Sequence, residues 1–218
     1  RERELARLGV EVRLGLRASM DELFVEDPDV IILATGSRPR SSGWYPPRPG
    51  VPHITGADGR NVFTTWDVFD GALDAARRVA IVDGLGYYQS SDAMEYLAEQ
   101  GIAIAAVTHN PLFAADMVHY DRVAFVRSLR GKDVEFLNNT IVRSIRDGEI
   151  VGMNTETGRE VTISGLDGVV LSLGNDVNDE LTLALSSAGV EVHSIGDCVV
   201  PRRIEHALFE AQLVARSL

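Results

Sequence analysis

The chain has 218 residues, 45% of them hydrophobic and 24% charged, with a net charge of -11 and a pI near 4.9. That balance excludes a compositionally disordered chain. The acidic excess excludes the clustered Lys and Arg needed to neutralise nucleic-acid phosphates or an anionic membrane. No apolar run approaches the roughly 20 residues needed to span a bilayer, and the start RERELARLGV is polar and amphipathic rather than a signal peptide. A soluble, cytoplasmic protein is expected. The single cysteine, Cys198, rules out an internal disulfide and any multi-thiolate metal or iron–sulfur site built by this chain alone. His53, His109, His119, His193 and His206 lie far apart without HExxH or HxH spacing, so no metal site is expected. The chain opens on Arg1 without a methionine, in what reads as the last turns of a helix, which suggests a piece of something longer.

In chain order, Val10 to Leu16 alternates as a strand does. Residues 30–34 (VIILA) then form a continuous apolar run ending in Thr35-Gly36, the pattern of a parallel strand buried on both faces. Residues 37–59 hold most of the prolines and read as an irregular connection leaving one domain. A short helix is expected over residues 64–69, opened by Thr65. The strand Val79–Val82 follows, then the turn Asp83-Gly84-Leu85-Gly86-Tyr87-Tyr88-Gln89-Ser90, a helix from Ser91 to Gln100 with Gly101 as its C′ residue, and a strand from Ile102 to Val107. This β-turn-α-β unit has the length of a mononucleotide-binding half. Met117 to Gly131 is helical. Val134 to Ile163 reads as an antiparallel meander with turns at Asp147-Gly148 and Thr157-Gly158. A buried strand over residues 169–173 ends at Gly174, Asn175 to Glu180 is a loop, and a strand over residues 190–195 ends in Gly196-Asp197. The closing helix from Pro201 carries Ile204, Ala207, Leu208, Ala211, Val214 and Leu218 at helical spacing, which predicts one buried stripe.

The residues that could carry chemistry sit where these parallel strands end. Gly84-x-Gly86, after a strand and before a helix, permits a tight turn and lets backbone amides approach a pyrophosphate. The third glycine position is Gln89, and Tyr87 and Tyr88 place two rings in the loop, so a turn that only preserves the fold is equally open. Where an acid would select the adenosine ribose, the second strand ends in Thr108, His109 and Asn110, giving no support for NAD selectivity. Gly36 permits a tight turn beside a cofactor or a plain strand exit. Asp197 sits where parallel sheets bind ligands and can accept hydrogen bonds from sugar or ribityl hydroxyls, or it can cap the following helix. Arg202 and Arg203 could meet phosphate or stay solvated. No Ser-His-Asp order or paired carboxylates stand out. The Asp197 charge would raise the pKa of Cys198, against a nucleophile, so hydrolase readings have no support.

Together IILATGSRPR, TTWDVFDG, VAIVDGLGYYQSSDAMEYLAEQG and VHSIGDCVVPRRIEHALFEAQLVARSL resemble, over essentially the whole chain, the C-terminal half of the trimethylamine dehydrogenase and 2,4-dienoyl-CoA reductase family of NADH:flavin oxidoreductases. In that family a barrel with FMN and an iron–sulfur cluster precedes two nucleotide-binding domains, one inserted in the other. The resemblance implies an α/β fold: a Rossmann-like three-layer NAD(P)-binding domain over residues 76–174, inserted in a partial FAD/ADP-binding domain formed by residues 1–75 and 175–218. By matching motifs, Ala34, Thr35 and Gly36 would lie near the flavin or ADP, Gly196 and Asp197 near its ribityl or pyrophosphate region, and Gly84 and Gly86 would face NAD(P)H. The barrel, the cysteine cluster and the first glycine fingerprint of the FAD domain do not occur in this sequence. FMN and the cluster would therefore belong to an upstream part of the same chain, and the isolated piece is expected to be inactive. The implied function is electron transfer between NAD(P)H, FAD and an upstream FMN/iron–sulfur centre. The alternatives are a non-catalytic ADP-binding scaffold of an amine dehydrogenase and a reductase unit like the small subunit of glutamate synthase. Nucleotide cofactors and the upstream barrel are the expected partners, with a homodimer left open.

Overall fold

A computed structural model describes residues 2–185 and 189–218. In chain order the elements are α1 (Glu2–Arg7), α2 (Met20–Val25), β1 (Val30–Leu33), β2 (Ser37–Pro39), β3 (Val62–Thr64), α3 (Thr65–Phe69), β4 (Arg78–Asp83), α4 (Tyr88–Glu99), β5 (Ala103–Thr108), α5 (His119–Ser128), β6 (Val134–Leu137), β7 (Thr140–Arg146), β8 (Glu149–Asn154), β9 (Glu160–Ser164), β10 (Gly168–Ser172), β11 (Asn175–Val177), α6 (Glu180–Leu185), β12 (Glu191–Ser194) and α7 (Ile204–Ser217). The chain divides into two compact units, an outer one of Arg1–Ser37 with Val177–Leu218 and an inner one of Arg38–Asp176. The short strands β2 and β11, which pair with each other, span the two crossings.

The inner unit is built on a five-stranded parallel sheet in the order β3-β10-β4-β5-β6. Its central strands are continuous apolar runs because both faces are covered. On one face lie Ala93, Met94, Leu97 and Ala98 of α4, with Val68 and Phe125, against Val79, Ile81, Ile104 and Val170. On the other, the antiparallel sheet β7-β8-β9 contributes Val142, Ile145, Ile150 and Ile163 against Ala80, Val82, Val107 and Leu171. Helices, parallel sheet and antiparallel sheet form three layers. α3 begins one residue earlier than its first threonine pair suggests. Thr64 is the N-cap, because only from there does Asp67 fall at the third helical position and close a capping box.

Four expectations change. The boundary expected near residue 75 lies between 37 and 38: Tyr45, Ile54 and Ala57, within the proline-rich stretch, are buried in the inner core, and β3 pairs with β10. Residues 134–137 join the edge of the parallel sheet beside β5, so the meander comprises only β7 to β9. Val10 to Leu16 forms no strand among the described residues, and Leu14 is 90% exposed. α7 runs from Ile204 and buries none of its residues, so its apolar stripe is open within this chain.

The outer unit pairs β1 with β12 in parallel, Val30 opposite Glu191 and Leu33 opposite Ser194. Its small core is Ile31, Leu33 and Leu185, with Met20, Leu23 and Leu181 packed against them. Ser19 and Glu22 close a capping box on α2. Among the described residues no helix is long and apolar enough to cross a membrane.

The fully buried Leu97 is surrounded by the inner core. Leu97→Ala is expected to destabilise the inner unit by about 2–5 kcal/mol through lost transfer and cavity terms, whereas Leu213→Ala on the open face of α7 should stay within about 0.5 kcal/mol. Urea denaturation of both variants checks the contrast.

Candidate functional site

The outer unit places its two strand exits side by side. β1 leads into Ala34-Thr35-Gly36 and β12 into the single 3-10 turn Gly196-Asp197-Cys198, tied together where the Ile195 amide donates to the Leu33 carbonyl at 2.9 Å. Gly36 takes a φ of +72°, which an L side chain rarely adopts, and an added Cβ would meet nothing within 4 Å, so open space lies beside it. Asn178 holds this turn. Its amide donates to the Gly36 carbonyl at 3.1 Å, its side-chain NH2 donates to the Thr35 carbonyl at 3.1 Å, and its own carbonyl accepts from the Thr35 hydroxyl at 2.6 Å. Thr35 therefore points its hydroxyl at Asn178, while Ala34, Gly36, Gly196 and Asp197 line one groove of about 510 Å³. Its far wall is the apolar stripe of α7, with Ile204, Ala207, Leu208 and Ala211. The stripe expected to be buried is thus the wall of a groove.

The groove lining carries one carboxylate, Asp197, and one guanidinium, Arg202. Asp197 accepts from the Ser37 hydroxyl at 3.1 Å and from the Arg202 amide at 3.1 Å, which fixes the carboxylate at the mouth of the turn. Glu210 accepts from the Gly196 amide at 2.7 Å and pairs with the Arg202 guanidinium. The hydrogen bond from Arg202, followed by that from the Gly196 amide, holds the Glu210 carboxyl below its ordinary range. The Arg202 guanidinium pairs with Glu210, while its backbone amide meets Asp197. Cys198 is buried, its thiol directed at the Leu33 and Ile195 carbonyls.

The inner turn is arranged differently. The sheet changes direction at β4, since the chain proceeds from β4 to β5 and β6 on one side and returns to β10 on the other. In open α/β sheets that crevice is where ligands bind. Here the three successive amides of the turn are already committed. Gly84 donates to the Ser172 carbonyl at 2.9 Å, and Leu85 and Gly86 donate to Oδ1 of Asp83 at 3.2 and 2.8 Å. Asp83 ends β4 and is fully buried. Gly86, with φ at +73°, is overlaid by the chain itself: an added Cβ would meet Asn110 Nδ2 at 3.2 Å and the amides of Ala115 and Asp116 at 3.4 Å. Its carbonyl accepts from Asp116 at 2.8 Å. At the β10 exit, Arg40 donates to the Leu173 and Asn175 carbonyls and pairs with Asp176 at 2.8 Å, its guanidinium stacked on Trp44. Gly84 and Gly86 thus form the expected tight turn, in which the amides of residues 84–86 are donated within the chain.

Sequence reasoning missed Asp83, Arg40, Asn178 and Glu210. For Asp83 a signal existed, because an Asp two and three residues before turn amides is the pattern of a side chain that caps its own backbone. Glu210 is one polar position on a helix, and nothing local distinguishes it.

No family model matches the chain. Over 199 residues, 90% of this chain, it is 31% identical to an NADH oxidase of Thermoanaerobacter brockii, of which it covers 29%. It is 27% identical to an N,N-dimethylglycine/sarcosine dehydrogenase of Chromohalobacter salexigens, covering 98% of this chain and 35% of that one. The solved complex of a 2-naphthoyl-CoA reductase with 2-naphthoyl-CoA superposes with a TM-score of 0.82 at 26% identity, over 96% of this chain and 30% of that one. The chain matches a C-terminal segment of the trimethylamine dehydrogenase and 2,4-dienoyl-CoA reductase family. It spans between 29% and 35% of the length of these relatives, which are oxidoreductases by name.

Burial raises the Asp83 carboxyl above its ordinary range, opposed by the amides of Gly86 and Leu85. The folded protein therefore holds this proton more tightly than the unfolded chain. The associated stability is complete below an ordinary carboxylate value of about 4 and is lost as pH rises through the raised value. Asp83→Asn keeps an oxygen acceptor for the two amides and does not titrate. The wild type should lose stability relative to this variant from about pH 4 upward. Denaturation midpoints of both proteins across that range test it, and a gap that does not change with pH would refute it.

Proposed function

We propose that the chain is the nucleotide-binding part of a flavin-dependent oxidoreductase and that its outer groove holds the ring and ribityl end of FAD. The observation that carries this reading is the convergence of Ala34, Gly36, Gly196 and Asp197 on one groove beside the start of α7. The small residues at both strand exits let a planar ring lie against the backbone. Asp197, held by Ser37 and Arg202, keeps acceptor capacity for ribityl hydroxyls. Glu210 neutralises Arg202, so the diphosphate needs donors from elsewhere in the longer protein. FAD, when bound, supplies hydride and electron-transfer chemistry; this chain's residues bind and orient it. In the longer protein, electrons would pass between the flavin and an upstream barrel carrying FMN and an iron–sulfur centre.

A second reading, ADP held as a scaffold ligand of an amine dehydrogenase, gains weight from the committed amides of the inner turn, which leave the chain without a ready dock for NAD(P)H. Absorbance spectra and mass-spectrometric identification of the ligand released from the purified full-length protein separate the two. Release of FAD beside any FMN of the upstream barrel is expected, and release of ADP with no FAD favours the scaffold. Ala211→Phe narrows the groove from the open face of α7 and should lower nucleotide retention at least about tenfold, equivalent to about 1.4 kcal/mol. Unchanged retention would remove the groove from the proposal.

A further inference from the structure

We propose that Asp83 is the specificity-determining residue of the inner unit: its carboxyl oxygen occupies the Leu85 and Gly86 amides of the glycine turn and so refuses the pyrophosphate of NAD(P)H. This deepens the flavoprotein reading, on which it rests for its consequence but not for its geometry.

A dinucleotide docks on a glycine turn through unpaired backbone amides, close approach to a backbone without side chains, and the positive end of the following helix. Residues 84–86 of the inner turn offer neither of the first two. Its amides at 84, 85 and 86 are all donated, the latter two to a single oxygen of Asp83. That oxygen accepts whether the carboxyl is ionised or protonated, since a carbonyl oxygen serves as well, so the occupation persists across pH. The approach to Gly86 is filled by Asn110, Ala115 and Asp116, and the neighbouring Phe113 and Ala114 are buried in the core. Displacing that segment would expose two core residues as well as break the Asp116–Gly86 hydrogen bond. Arg40 takes the carbonyls at the exit of β10. A phosphate would have to displace a fully buried carboxylate and a packed loop together.

The arrangement is specific to this turn. In the outer unit the Gly196 amide also meets a carboxylate, but Glu210 reaches it from the partly exposed α7 and the space beside Gly36 is open. One turn is closed from beneath by its own strand, the other is faced by a side chain that a ligand can move. It follows that reducing equivalents from NAD(P)H do not enter the longer protein through Gly84 and Gly86.

Hydrogen–deuterium exchange on the full-length protein, with and without about 1 mM NADH or NADPH, tests this peptide by peptide. No nucleotide-dependent protection is expected over residues 84–88 in the wild type. Asp83→Ala should speed exchange at Leu85 and Gly86 at least about tenfold, while Asp83→Asn, which keeps the acceptor, should exchange like the wild type. Protection of residues 84–88 by either nucleotide overturns the proposal. So does unchanged exchange at Leu85 and Gly86 in Asp83→Ala. If that variant does not fold, the wild-type titration and Asp83→Asn still decide: loss of protection in Asp83→Asn would show that Oδ1 is not the acceptor. Failure of the flavoprotein reading registers separately, as absence of FAD in the released ligand with residues 84–88 unaffected.

Discussion

A parallel strand that turns into a helix leaves main-chain amides pointing outward with no strand or helical partner, and a buried donor without an acceptor costs about 1–3 kcal/mol. Each glycine turn in this protein must resolve that cost, and the group that accepts decides what the turn can do. At the end of β4 the acceptor is the side chain of the strand's own last residue, Asp83. At the end of β12 it is Glu210, reaching across from a helix. The remainder of each unit follows. Asn110, Ala115 and Asp116 lie down on the inner turn, whereas the outer turn faces a groove lined by α7.

The two units differ in how completely they are packed. The inner one has a complete five-stranded parallel sheet with both faces buried. It is the better-packed body, and its crevice is filled. The outer one has two paired strands and a core of three buried residues among those described, and it keeps the groove. Packing and binding trade places here for a physical reason: a crevice that accepts ligand must forgo the contacts that would close it.

Much of this was legible in the sequence. The runs at residues 79–82, 102–107 and 169–173 give parallel strands because apolar continuity has one structural meaning when both faces are covered, and Gly86 and Gly196 mark turns whose positive φ favours glycine. Periodicity could not find the inner unit's boundary, because Tyr45 and Ile54 are isolated anchors in an irregular segment and have no period to detect. It also misread Val10 to Leu16 and the stripe of α7, since alternation and helical spacing report which face is apolar, not whether anything covers it. Of the candidate site, Gly36 and the Gly196-Asp197 pair were marked by position at strand ends and Ala34 by the family resemblance, and these four line one groove. The role of Asp83 depends on χ angles and loop closure, which local sequence only hints at.

The clasp at the ends of the inner unit has a further consequence. Arg40 donates its amide to the Gly174 carbonyl and its guanidinium to Leu173, Asn175 and Asp176, so the residues by which the inner unit begins and ends are bound to one another. A body whose two ends are joined by its own hydrogen bonds behaves as a cassette. It asks of its host only a site where two backbone strands can pass side by side, and it exerts no stretch on what flanks it. New termini could be cut in a surface turn such as Thr157-Gly158 and the old ones joined by a short linker.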